Sequence, residues 1–214
     1  MSSAPVQSPC VMDRLRSETR PHHDRAEQSG FGSLVMEGGL TKDLYVVHLA
    51  AWRRILAQLE QALRCSDDEV IRAVWDEDLA KVPLLDRDLD ALSPGGVTWT
   101  DGTAKAVGSF NAMVDRLERE EPRSLLGVVY VLEGSTMGGS VMKPRIAGQL
   151  GLEGDHGLAY YGCYGTNVGP HFKAFRSSMA DAANGTGAED RIVEAGKATF
   201  DGVSEILRTI ASPE

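Results

Sequence analysis

The sequence predicts a single all-α domain. From Asp13 onward most segments carry apolar residues at helical spacing, strands do not alternate with helices, and no internal repeat or low-complexity segment occurs. With 214 residues and 42% hydrophobic content, the chain is long enough for one domain with a sizeable core. We expect about eight helices in a domain over residues 12–214, preceded by a disordered tail over residues 1–11.

Two helices can be placed in the first part of the chain. Thr41 is a suitable N-cap for a long amphipathic helix, whose apolar stripe contains Leu44, Val47, Leu49, Ala51, Ile55, Leu59 and Leu63. Ser66 and Glu69 have the spacing of a capping box, which predicts that a second helix starts at Ser66. The apolar stripe of that second helix comprises Val70, Val74 and Leu79.

The second half of the chain predicts further helices separated by loops. The Pro- and Gly-containing stretch 93–103 is a loop, a helix runs from about Thr103 to Glu120, and Pro122 can open the next helix. The run "LLGVVYVL" has the composition of a buried strand, but its length and helical surroundings favour a buried helix. "GLEGDHGLAYYGCYGTNVGP" is glycine-rich and therefore irregular, and the two segments after it return to helical spacing.

Charge and composition exclude several classes of function. The formal net charge of -9 makes binding of nucleic acid or anionic lipid unfavourable. No window approaches the roughly 20 apolar residues that a membrane span requires, and the N-terminus lacks the features of a signal peptide, so we expect a cytoplasmic protein. Three scattered cysteines, Cys10, Cys65 and Cys163, are most simply reduced thiols.

Two adjacent histidines, His22 and His23, form the first candidate site. Pro21 has no N–H, so we expect a kink or a helix start just before this pair. On a helix Thr19, His23 and Glu27 share one face, whereas His22 points about 100° away. Glu27 can hold one ring nitrogen of His23 and leave the other for a metal. One histidine is too few for a zinc or non-haem iron site, but a single axial histidine suffices for haem. The alternative is a surface His–Glu pair.

Two further clusters are candidates. Gly134, Gly138 and Gly139 lie within an apolar helical run, where each glycine costs roughly 0.5–1 kcal/mol relative to alanine. They indicate either close approach of a flat ligand to a kinked helix or close packing between helices. Lys173 and Arg176, three residues apart, can bind a paired anion such as two carboxylates, or can simply occupy a solvated helix face.

Three motifs together resemble the haem oxygenases. "LRSETRPHHDRAEQSGF" resembles the proximal-helix signature of that family, which reads roughly Leu-(Lys/Arg)-x-x-Thr-x-x-x-His-x-x-(Ala/Leu)-Glu. "YVLEGSTMGGSVM" looks like the distal helix, especially in the bacterial branch associated with bacteriophytochromes, and "GLAYYGCYGTNVGPHFKAF" is similar to a late motif of that branch. The resemblance extends from about Asp13 to the C-terminal helix.

The resemblance implies an all-α fold that holds haem between a proximal helix and a kinked, glycine-rich distal helix. It assigns the iron to His23, with Glu27 as its partner. It also implies contacts to haem from Arg16, Tyr130, Lys173 and Arg176, of which Arg16 and Arg176 match basic positions for the propionates. The oxygen-binding side would be formed by Gly134, Ser135, Gly138 and Gly139. Ser135 stands where animal members carry an aspartate, which leaves the route of proton delivery open.

The implied reaction is the cleavage of haem to biliverdin, carbon monoxide and ferrous iron. It would use O2 and electrons from a donor such as a ferredoxin or a flavin reductase, and its product would serve a bacteriophytochrome. A haem carrier or sensor on the same fold is the alternative, motivated by Ser135. An all-α interaction protein is a weaker one. A nucleophilic enzyme built on Cys163 with His156 or His171 lacks a third, orienting group.

Overall fold

The computed structural model describes residues 10–28 and 30–212. This part of the chain contains ten α-helices and three short 3₁₀ turns. The helices are α1 Val11–Glu18, α2 Arg20–Glu27, α3 Phe31–Glu37, α4 Lys42–Cys65, α5 Glu69–Arg72, α6 Val82–Leu92, α7 Asp101–Glu120, α8 Leu125–Leu150, α9 Val168–Ala183 and α10 Glu189–Ala211. The 3₁₀ turns are Glu77–Leu79, Pro122–Ser124 and Gly165–Asn167. No strand occurs within the described ranges, so the all-α prediction is confirmed.

The predicted N-terminal tail overlaps the folded part of the chain. Helix α1 begins at Val11, and the side chains of Val11 and Met12 are buried. The backbone N–H of Val11 also donates to Asn184 Oδ1 at 2.9 Å, which ties the start of α1 to the end of α9. Disorder over residues 1–9 remains a prediction, because those residues lie outside the described part.

The break between α1 and α2 follows from Thr19 and Pro21. Pro21 has no N–H and occupies the first turn of α2, the helix position that tolerates proline best. Thr19 lies between the two helices, and its hydroxyl donates to the Leu15 carbonyl at 2.6 Å. The predicted helix start just before the histidine pair is therefore confirmed, and it adds one helix to the expected count.

The predicted N-cap of α4 is confirmed, whereas the predicted N-cap of α5 is wrong. Thr41 Oγ1 accepts from the Leu44 N–H at 3.3 Å, as expected for an N-cap. The capping box at Ser66 was a wrong prediction, since Asp68 is the N-cap of α5 and accepts from the N–H groups of Val70 and Ile71. Helix α5 is only one turn long, because the chain leaves helical geometry before the 3₁₀ turn Glu77–Leu79.

The β-branched run of residues 125–132 lies in α8, a single helix that continues through all three glycines and through Pro144. By length and composition the segment Pro122–Leu150 could cross a bilayer, so the expectation that no segment has these properties was wrong. Half of its most apolar window is buried in the protein, and α8 packs mainly against α10. We attribute its hydrophobicity to this core position.

The irregular segment between α8 and α9 is held inside the fold. Asp88 of α6 accepts from the backbone N–H groups of Ala159 and Tyr160 at 2.7 and 2.8 Å. The hydroxyl of the buried Tyr45 donates to the Gly157 carbonyl at 2.8 Å. These bonds fix the loop that carries Tyr160 and Tyr161 against the middle of α8.

Candidate functional site

A cavity of about 810 Å³ opens between α2, α3, α4, α8, α9, α10 and the loop before α9. Its walls are mainly apolar and aromatic, which is typical of small-molecule sites. Three large hydrophobic side chains are notably exposed in the described part of the chain, and all three line this cavity: Met36, Met137 and Val141. Exposed apolar groups that converge on a cleft indicate a site for an apolar ligand.

His23 lies in the wall of the cavity on α2, with its side chain 47% exposed. Its Nδ1 is 3.6 Å from Asp24 Oδ1 and 3.8 Å from Glu27 Oε2, and both distances are too long for hydrogen bonds. The ring meets the edge of Phe200 at a centroid distance of 5.5 Å. Within the described ranges no hydrogen bond engages Nε2, so this nitrogen is available to a ligand in the cavity.

His22 lies on another side of α2. Its Nδ1 is 2.8 Å from Asp201 Oδ1 of α10, and Arg25 donates to the same oxygen at 3.0 Å. His22 does not line the cavity. The two adjacent histidines thus differ as their helical spacing predicts: His22 joins α2 to α10, and His23 faces the cavity.

The three glycines of α8 all line the cavity, but their surroundings differ. A Cβ at Gly138 would meet no atom within 4 Å, whereas one at Gly139 would lie 3.4 Å from the Tyr161 ring. At Gly134 it would lie 3.5 Å from the Phe172 ring. Gly138 therefore leaves open space beside the helix, whereas Gly134 and Gly139 allow aromatic rings to pack closely against it.

Ser135 also lines the cavity and contacts the buried Tyr160. Its hydroxyl donates to the Leu132 carbonyl at 2.6 Å. Burial raises the pKa of the Tyr160 phenol, and the hydrogen-bonding groups of Ser135 and Trp52 oppose that rise. The position is therefore polar, although it carries no acid.

The predicted basic residues differ in their relation to the cavity. Burial raises the pKa of the cavity-lining Tyr130, and the charges of Arg176 and Arg16 partly offset that rise, so both guanidinium groups lie within electrostatic range of the ring. Neither arginine forms an ion pair within the described part of the chain, so both can bind an anionic ligand. Lys173 is exposed on α9, and none of the three predicted basic residues is part of the cavity wall.

His48 of α4 is a cavity residue that the sequence did not indicate. Its ring lies between Phe31 and Trp52, at centroid distances of 4.3 and 4.2 Å, and its Nε2 is 2.8 Å from the Tyr161 hydroxyl. Burial lowers the pKa of His48 to about 3, so the imidazole is neutral at pH 7. A lone histidine within an apolar helix face was the available signal.

Comparison with known proteins adds an independent line of evidence. A family model described as heme oxygenase matches residues 11–209. The chain is 23% identical over 195 residues to "Heme oxygenase 1" of Nostoc sp., which covers 89% of this chain and 81% of that protein.

Solved structures agree on the fold. Heme oxygenase from Leptospira interrogans superposes with a TM-score of 0.82 at 22% identity, covering 94% of this chain and 99% of that one. Heme oxygenase-2 from Synechocystis sp., solved in complex with heme and NO, gives a TM-score of 0.86 at 21% identity, covering 94% of this chain and 85% of that one.

Proposed function

Because the chain belongs to the haem oxygenase family, we propose that it cleaves haem to biliverdin, carbon monoxide and ferrous iron. The observation that carries the proposal is the pairing, in one apolar cavity, of the free Nε2 of His23 with the open surface of Gly138. A flat apolar molecule with a metal at its centre would lie between these two walls. Electrons would come from a ferredoxin or a flavin reductase.

On the proximal side, His23 would bind the iron through Nε2. The carboxylates of Asp24 and Glu27 near Nδ1 favour a proton on that nitrogen, which makes the opposite nitrogen the better ligand. Arg16 and Arg176, near Tyr130, would pair with the propionates and so orient the ring in its plane. Together these contacts would hold the haem by its iron and by its charged edge.

Bound haem, held through His23, would supply the redox chemistry that activates O2. On that side the missing side chain of Gly138 allows the backbone of α8 to lie close to the ring. Ser135 offers a hydroxyl for a hydrogen bond, directly or through water.

A turnover assay tests the proposal. The purified protein is loaded with hemin and supplied with O2 and either ascorbate or a ferredoxin system, and the products are separated by chromatography. We expect loss of the Soret band and formation of biliverdin. A haem complex that persists unchanged under both donors would instead support a carrier or sensor. We further propose that the biliverdin serves a bacteriophytochrome, an interaction that a pull-down with that receptor would test.

His23→Ala tests the assignment of the iron ligand. We expect the variant to lose the imidazole-ligated haem spectrum and to regain it when free imidazole is added, because the small side chain leaves room for the ligand. His22→Ala is the matched control, since His22 faces Asp201 and should leave the spectrum as in the parent. An unaltered spectrum in His23→Ala would contradict the assignment.

A further inference from the structure

A buried charged cluster lies behind α8, on the side away from the large cavity. Lys81 Nζ donates to Glu133 Oε2 at 3.0 Å, to the Leu79 carbonyl at 2.6 Å and to the Tyr164 hydroxyl at 2.8 Å. The side chains of Lys81 and Glu133 are each 4% exposed. Glu133 immediately precedes Gly134, so the cluster sits directly behind the glycine-rich part of the helix.

Two atoms of this cluster lack a hydrogen-bond partner among the described protein atoms. They are Glu133 Oε1 and His171 Nδ1, and they lie 3.8 Å apart. The His171 ring stacks on Tyr164 at a centroid distance of 3.8 Å, and 32% of its side chain is exposed. One edge of this imidazole thus reaches solvent while its Nδ1 faces the buried carboxylate.

A cavity of about 20 Å³ adjoins the cluster, and its wall includes Lys81, Glu133 and Tyr160. This volume accommodates one water molecule, and the polar atoms of the wall can supply the two to four hydrogen bonds that a buried water needs. A buried carboxylate oxygen without a partner is energetically costly, and a water here would satisfy it.

Tyr160 connects the two cavities. It lines the small cavity beside Glu133 and also the large cavity, where its phenol interacts with Ser135. Burial raises the pKa of this phenol, so the hydroxyl keeps its proton at pH 7 and can both donate and accept a hydrogen bond. His171, Glu133, Tyr160 and Ser135 therefore lie in succession between solvent and the large cavity, with the small cavity between Glu133 and Tyr160.

We propose that this series delivers protons to the oxygen side of the haem site, in the order His171, Glu133, one water, Tyr160, Ser135. The inference rests on the proposed function, because the reduction of O2 consumes protons. Each proton that Tyr160 passes to Ser135 is replaced from the water, the water regains one from Glu133, and Glu133 is recharged from solvent through His171. No electron moves along this route.

The proposal also explains how the site can function with a serine, and no acid, at position 135. A serine cannot hold a reserve of protons, but it can pass on a proton that a neighbouring phenol supplies. The acid of the site is then Glu133, two residues earlier on the opposite face of α8, and it is reached through Tyr160.

Two variants and one control test the route in single-turnover reactions of the haem complex. Glu133→Gln keeps the shape of the side chain and removes its charge, and Tyr160→Phe removes one hydroxyl. We expect each to slow biliverdin formation by about 100-fold, a typical effect of losing a general acid. The solvent deuterium isotope effect should also increase, while haem affinity stays unchanged. Tyr45→Phe is the control, because it removes a buried hydroxyl that anchors the same loop and lies outside both cavities.

A second measurement does not depend on turnover. A high-resolution crystal structure of the parent protein should show a water within hydrogen-bond distance of Glu133 Oε1 and Tyr160 Oη. Absence of that water, or parental rates and isotope effects in both variants, would overturn the route. If even the parent protein leaves haem intact, the proposed function fails, and the crystallographic water still decides whether the connection exists.

Discussion

Neighbouring residues of the same type serve different purposes in this protein. Gly138 borders open space in the cavity, whereas Gly139 accommodates the Tyr161 ring. His23 exposes a free nitrogen to the cavity, whereas His22 contacts Asp201. A helix turns by about 100° per residue, so adjacent positions necessarily have different surroundings.

Gly138→Leu tests the role of open space on α8. The added side chain would project into the cavity beside the haem, so we expect weaker haem binding and a loss of turnover of at least about tenfold. Gly148→Leu is the control, since Gly148 lies on the same helix, also has no atom within 4 Å of an added Cβ, and does not line the cavity. Parental turnover in Gly138→Leu would show that the ligand does not approach this part of the helix.

At the scale of elements, the crossing of α8 and α10 depends on small residues. A Cβ at Gly127 would lie 2.0 Å from the Ile192 carbonyl oxygen and 2.8 Å from the Gly196 nitrogen. Backbone atoms cannot move aside as a flexible side chain can, so this crossing requires glycine at position 127. Helix α10 in turn brings Phe200, Val203 and Leu207 to the cavity, so the crossing also positions one of its walls.

Gly127→Ala should therefore destabilise the fold, although alanine is the better helix former. We expect a loss of at least about 2 kcal/mol in the free energy of unfolding, the usual range for overpacking a close contact. Gly108→Ala, in the exposed middle of α7 with nothing near an added Cβ, should instead gain about 0.5–1 kcal/mol. Urea unfolding of both variants measures the difference, and similar values for the two would refute the backbone contact.

For the molecule as a whole, burial of His48 links stability to pH. Burial lowers its pKa to about 3 from an ordinary value of 6.5. Between these values the unfolded chain holds a proton on this imidazole and the folded chain does not. The contribution of the neutral His48 to the free energy of unfolding is therefore fully present above pH 6.5. Below pH 6.5 this contribution decreases by about 1.4 kcal/mol per pH unit.

His48→Leu should remove this dependence. We expect the loss of stability between about pH 6.5 and about pH 5 to be roughly 2 kcal/mol smaller in the variant than in the parent. The quantity compared is the slope of the free energy of unfolding against pH, because the variant also loses the hydrogen bond to Tyr161 at every pH. His156→Gln removes an exposed histidine and should keep the parental slope. The measurement is urea unfolding of the haem-free protein, and equal slopes in all three proteins would contradict the link.

Much of the secondary structure could be predicted because its causes are local. Thr41 caps α4, Pro21 starts α2, and helical surroundings outweigh the β-branched composition of α8. Helix α5 could not be predicted correctly, since Ser66 and Asp68 are both suitable caps and only the folded chain selects Asp68. The sequence alone thus determined the fold class and the face of α2 that carries His23.

The tertiary structure decided the rest of the site. His48 and Tyr161 are 113 residues apart yet share a hydrogen bond, and Phe200 reaches His23 from the last helix. The series from His171 to Ser135 likewise exists only because an irregular loop is anchored to α4 and α6. Helical periodicity records which residues share a face of one element, but contacts between distant elements depend on how these elements pack, and one sequence pattern does not contain that information.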